Sequence, residues 1–227
     1  MLLLQETVVT ASANAANVTN ELNLWDLCLQ GGWIMIVLAL LLIISIYIFV
    51  ERAIVVNRAS REDSSFMMRI KDYIHDGEIE SARRLCEQTD SPYSRLVAKG
   101  ISRIGRPMSD VLVTIENTGN LEVAALSKGF SWLATSAAAA PMVGFLGTVI
   151  GMVQSFYTIA ASGSSAEIGA FAGGIYTALV TTVAGLIVGI IALFAYNYLV
   201  ARVNKVMNLM EARTMDFMDL LNEPANR

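Results

Sequence analysis

Three stretches of the chain carry no Asp, Glu, Lys, Arg or His: residues 33–50, 130–160 and 171–200. Crossing the ~30 Å apolar core of a bilayer takes about 20 apolar residues in a helix. The pattern therefore predicts an all-α polytopic membrane protein with spans at 31–50, 129–161 and 171–200. The first is just long enough to cross. The second and third exceed what a straight crossing needs, so they should tilt or project beyond the bilayer. Pro141 lies inside the second span, where it removes one backbone hydrogen bond and predicts a kink.

The periodicity changes between the spans. In 51–128 the apolar residues fall at helical steps: Phe66, Ile70, Tyr73/Ile74; Ile79, Ala82, Leu85/Cys86; Val97, Ile101, Ile104. Gly77, Ser91-Pro92 and Arg106-Pro107 punctuate this region, which predicts several short helices. After residue 200 the spacing continues through Val203, Val206, Met210, Phe217 and Leu221, so 201–227 should extend the third helix with one buried face. Residues 1–24 are polar and rich in Asn, Thr and Ala, and Leu22, Leu24, Trp25, Leu27 and Leu29 form a candidate amphipathic surface helix with Trp25 and Trp33 at headgroup level. Residues 162–170 read as a short turn.

The second and third spans depart from a plain lipid-facing pattern. Gly144, Gly147/Thr148, Gly151, Ser155, Thr158 and Ser162 share one helical face. So do Gly174, Ala178, Thr181/Thr182, Gly185, Gly189 and Ala192. Gly147-x3-Gly151 and Gly185-x3-Gly189 fit the small-residue spacing that brings membrane helices together. On this evidence the hydroxyls either serve packing, bonded back to their own helices, or line a polar path.

Charge adds the orientation. The chain is 16% charged, well below the quarter usual for a soluble domain. All its Lys and Arg lie in 51–128 and in 201–227, while 1–30 and 162–170 have none. Positive-inside logic puts the N-terminus outside and the two base-bearing segments in the cytoplasm. Nothing points to nucleic acid. Cys28 and Cys86 fall on opposite sides of the first span and should not pair, and neither has metal-ligand spacing. His75, beside Asp76, reads as a solvated helix-end residue. With no nucleophile–base pair, phosphate loop, metal cluster or cofactor motif, an enzyme is not expected. Hydroxyls orient water but are poor proton carriers at neutral pH, so a proton-driven device built on these spans needs an acid from another subunit.

The pattern Gly-x-Leu-Gly-Thr-Val-x-Gly-Met-x-x-Ser-Phe, Gly144 to Phe156, resembles the second-span signature of the ExbB/TolQ/MotA proton-channel family. Gly174-Ile-x-x-Ala-Leu-x-x-Thr-x-x-Gly-Leu186 resembles its third-span signature, and Ser45 followed by Glu51-Arg52 is similar to the end of its first. Three spans make the arrangement most similar to the ExbB and TolQ branches; MotA-type stators have four. The resemblance implies a homopentamer whose second and third spans line a pore. Two copies of a single-span ExbD- or TolR-like partner, each with a membrane Asp, would occupy it. It also implies an inner-membrane location and work done on a TonB-like protein. Thr148 and Thr182 match the family's pore threonines; Ser155, Thr177 and Thr181 join them as candidate pathway residues, with Gly147, Gly151, Gly185 and Gly189 as packing residues. One departure stands out: Thr177 occupies a position where ExbB and TolQ proteins often have Glu. The competing readings are a TolQ-like role in envelope maintenance, a non-conducting scaffold, and a self-sufficient solute channel.

Overall fold

The computed structural model describes residues 32–60, 65–162 and 168–222, and all regular structure among them is helical. The elements are α1 (Gly32–Ala59), α2 (Phe66–His75), α3 (Ile79–Gln88), α4 (Pro92–Ile101), α5 (Met108–Leu126), α6 (Phe130–Ser162) and α7 (Ile168–Asn222). α1, α6 and α7 are long and apolar enough to cross a membrane. The expected surface helix over Leu22–Leu29, Cys28 and most of the 162–170 turn lie outside the described residues.

Two helices run past the ends of their apolar stretches, the second as the spacing after residue 200 predicts. α1 does not stop where its apolar run ends at Val50 but continues to Ala59. α7 is one helix of 55 residues, about 80 Å at 1.5 Å per residue, with no break near residue 200. Helical hydrogen bonding is local and indifferent to a switch from apolar to polar side chains. α6 likewise runs unbroken through Pro141.

The chain divides into two compact units, and α1, α6 and α7 contribute to both. The first holds residues 32–43, 136–162 and 168–191, around a small core of Ile34, Leu38, Ala140 and Val188. Many of its large apolar side chains point outward, Phe145, Phe156 and Ile190 among them. That is the pattern of a surface meeting lipid or neighbouring membrane helices.

The second unit holds residues 44–60, 65–135 and 192–222, with a larger core. Phe66, Ile70, Val97, Val111, Ile115, Leu133, Leu199, Val206 and Phe217 are each no more than 2% exposed. Val203 and Met210 join them, so the spacing expected beyond residue 200 packs α7 onto α2, α4 and α5. Ile104, expected in the core, is 39% exposed, because α4 ends at Ile101 and a turn carries residues 102–107 away from its face. His75 is exposed at the end of α2, as expected.

The punctuation residues act by identifiable means. Gly77 turns the chain between α2 and α3 with φ 76°, a conformation other residues rarely adopt. Ser91 caps α4 reciprocally with Ser94, and Pro92 sits at the first helical position, where its missing N–H costs nothing. Arg95 grips Glu122 through two 2.7 Å hydrogen bonds that join α4 to α5. The Glu122 hydrogen bond raises the guanidinium pKa.

Candidate functional site

The small faces of α6 and α7 meet each other within the first unit, antiparallel, from Ser155 against Gly174 to Pro141 against Gly189. Contact is closest at Gly144 and Gly185. A Cβ on Gly185 would lie 2.6 Å from the Ala140 carbonyl oxygen and 2.9 Å from Gly144 Cα. One on Gly144 would lie 2.8 Å from the Thr181 carbonyl oxygen. The two backbones therefore touch, which only glycine permits. Gly151 lies against Ala178, and a Cβ on Gly147 would run into the Thr181 hydroxyl. At Gly189 a Cβ would meet the Pro141 ring at 2.7 Å and the Ala137 carbonyl oxygen at 3.1 Å. That carbonyl lost its helical N–H partner to Pro141, and the approach of Gly189 covers it.

Where the backbones touch, three hydroxyls converge. Thr148 and Thr182 are hydrogen-bonded directly, side chain to side chain, across the seam. Thr182 also has the Gly144 carbonyl oxygen at 3.2 Å, and Thr148 has the Ala178 carbonyl oxygen at 3.2 Å. Thr181 donates to Ala178 O at 2.7 Å, with Gly144 O an alternative at 3.3 Å. Each hydroxyl has one proton and more than one acceptor in reach, so the donors can be redistributed without leaving a group unpaired.

The candidate residues are not equivalent. Thr181 is 2% exposed and Ser155 is 5% exposed, and Ser155 donates to the Gly151 carbonyl of its own helix at 2.9 Å. These two sit inside the seam. Thr148 and Thr182 are half-buried and lie at its margin, as is Thr177, one turn before Thr181. The structure thus brings Thr148, Thr181 and Thr182 into one cluster and leaves Ser155 about two turns of α6 away. The Gly144 and Ala178 carbonyls are part of the same cluster. Sequence reasoning placed both residues on the small faces but credited neither with a polar role, because every residue has a carbonyl and only the helix crossing selects these two.

No carboxyl, amine, guanidine or imidazole lies on the apolar stretches of α1, α6 or α7. Among the described residues there is no cluster of His, Cys, Asp and Glu able to hold a metal ion. The site can donate and accept hydrogen bonds in a low-dielectric setting, and it cannot by itself bind and release a proton near neutral pH.

The sequence model of the MotA/TolQ/ExbB proton channel family matches residues 88–212, which include the whole seam. A Synechocystis protein named as an ExbB-like biopolymer transport protein is 30% identical over 198 residues, 86% of this chain and 78% of that one. A biopolymer transport protein ExbB of Neisseria meningitidis is 29% identical over 180 residues, 73% of this chain and 80% of its own. An ExbB homologue of Methanothermobacter thermautotrophicus is 34% identical over 135 residues, 60% of this chain; the match spans 47% of that longer protein.

Proposed function

The chain belongs to the MotA/TolQ/ExbB proton channel family, and from that premise we propose that it is an ExbB-like motor subunit. With an ExbD-like partner it uses the proton motive force to drive a TonB-like protein and energise outer-membrane uptake. In this reading it forms a homopentamer in the bacterial inner membrane, with the N-terminus periplasmic and residues 51–128 and 201–227 cytoplasmic. α6 and α7 line the pore, and two single-span partner helices inside it each present an Asp carboxyl.

The observation that carries this reading is the Thr148–Thr182 hydroxyl pair, half-buried at the seam margin in a span without ionisable groups of its own. Charging a carboxyl in the membrane costs a few kcal/mol. A hydroxyl turned toward it returns roughly 1.5–3 kcal/mol per hydrogen bond to a charged group. The driving force is about 2.3 kcal/mol per charge per 100 mV, so one or two such bonds decide whether the Asp can lose its proton during the cycle. The spare acceptors Gly144 O and Ala178 O let the hydroxyls release the carboxylate afterwards. With Thr177 at a position where the family resemblance implies a frequent Glu, this reading leaves the partner's Asp as the sole carrier.

Growth dependent on energised uptake, measured alongside partner co-purification, tests the proposal. Thr148→Ala with Thr182→Ala should abolish uptake while the complex still assembles. Thr→Ser at both positions should largely preserve it, and Leu193→Ala, an exposed control, should be silent. A double alanine variant that assembles and works at the wild-type level would reduce the threonines to packing residues.

A further inference from the structure

Each of the three membrane-spanning helices bears an exposed aromatic ring and, about one turn further toward the base-rich side, a cation. On α1 these are Tyr47, 68% exposed, and Arg52; on α7, Tyr198, 43% exposed, and Arg202. On α6 the ring is Trp132, 65% exposed, with Lys128 in the turn just before the helix. The three sets lie at one level of the second unit. The Phe49 and Tyr198 rings are 6.0 Å apart, the Phe130 and Tyr196 rings 6.3 Å, and Gly129 rests against Ile48. Exposed aromatics with cations just outside them mark the depth of lipid headgroups.

The cations differ in what holds them. Arg52 is committed to the fold: it bonds Glu51 at 2.8 Å and reaches the Ala125 carbonyl near the end of α5, and its side chain is only 14% exposed. Lys128 is exposed and, among the described residues, has no ion-pair partner, but nothing orients it. Arg202 is oriented without being neutralised. Its Nε–H donates to the Tyr198 hydroxyl at 3.1 Å, and its guanidinium carbon stands 5.4 Å from the centre of that ring. No carboxylate pairs with it among the described residues. One donor is thereby spent on fixing the plane, and the two terminal NH₂ groups remain as a fork of the shape that receives phosphate oxygens in pairs.

We propose that Arg202, held in place by Tyr198, binds the phosphate of an anionic phospholipid in the leaflet on the base-rich side. The site is independent of the motor reading, since it requires only that α7 cross a bilayer. Its occupant is a lipid and not a free anion, because the fork sits two residues beyond the apolar stretch that ends at Val200, where a headgroup lies and acyl chains have apolar helix beside them.

The test is lipid retention by the purified full-length chain in detergent, read by native mass spectrometry with phosphatidylglycerol or phosphatidylcholine added. Phosphatidylglycerol should be retained preferentially. Arg202→Gln should weaken its retention about tenfold, and Arg202→Lys, which keeps the charge but loses the fork, should weaken it nearly as much. Tyr198→Phe keeps the ring, removes the orienting hydroxyl, and should give an intermediate loss; Lys128→Gln should change retention less than about twofold, as expected for an unoriented charge. The thermal midpoint of each variant separates lost binding from lost folding, and the lysine variant serves should the glutamine one unfold. Equal retention of the two lipids, or wild-type retention by a folded Arg202→Gln or Arg202→Lys chain, would overturn the proposal. So would displacement of the lipid by millimolar inorganic phosphate, which would make the site a general anion site.

Discussion

Cys86 shows how one residue's surroundings set its chemistry. It is buried on α3 in the core of the second unit, and burial, assisted by the neighbouring Glu87 carboxylate, pushes its thiol up to about 12 from an ordinary value of 9.0. Near neutral pH almost no thiolate exists, so the side chain acts as a small apolar group. In a Cys28→Ser background, iodoacetamide at pH 8 should leave the native protein unmodified over hours yet label it fully once denatured. Rapid native labelling would show that the second unit opens readily or that the thiol is not buried. The sign of the pH effect follows. Below pH 9 the thiol is protonated in both states; between 9 and 12 the unfolded chain releases the proton first, and this contribution to stability is lost as pH rises through that window. Cys86→Ala should flatten that part of the pH–stability curve.

At the scale of elements, the seam between α6 and α7 depends on glycine where backbone meets backbone. Gly185→Ala would place a methyl 2.6 Å from the Ala140 carbonyl oxygen and 2.9 Å from Gly144 Cα, atoms that cannot move without displacing a helix. Overpacking of this kind typically costs about 1–3 kcal/mol. The thermal midpoint in detergent should fall, and the Thr148–Thr182 pair should separate. Gly173→Ala, with nothing within 4 Å of the added methyl, should be neutral or slightly stabilising. Equal effects of the two substitutions would mean that the seam is not the close crossing described. The small-residue spacing made the meeting of these faces legible in the sequence, as helical periodicity did for α2 to α5. It did not give the crossing point: the spacing set Gly144, Gly147, Gly151, Gly185 and Gly189 on the small faces alike, and the closest backbone approach joins Gly144 to Gly185. Crossing geometry depends on both surfaces together, and a pattern read along one helix has no access to it. The exposure of Ile104 has a related cause, since its spacing continued the α4 pattern while the turn before Pro107 ended the helix three residues earlier.

For the whole molecule, the decisive feature is the separation of hydroxyls from acids. Every Asp, Glu, Lys, Arg and His lies outside 33–50, 130–160 and 171–200, so the spans offer hydrogen bonds and close packing but no group that exchanges protons near neutral pH. An assembly of this chain alone should therefore hold together through its small-residue and apolar membrane surfaces and still conduct protons poorly. Moving a proton across the apolar core without an ionisable relay means exposing a bare charge to it, which costs a few kcal/mol or more. A carboxyl supplied beside Thr148 and Thr182 would lower that barrier. In vesicles carrying a pH-sensitive dye, the purified chain should collapse an imposed gradient little faster than empty vesicles. If the proposed single-span partner supplies a membrane Asp, adding it should speed the collapse at least about tenfold, a change that needs only about 1.4 kcal/mol off the barrier. An Asp→Asn partner should restore the low rate while still co-purifying. Leak from the chain alone at the rate of the complex would mean that water threads the hydroxyl seam by itself, and the division of labour between the two subunits would have to be abandoned.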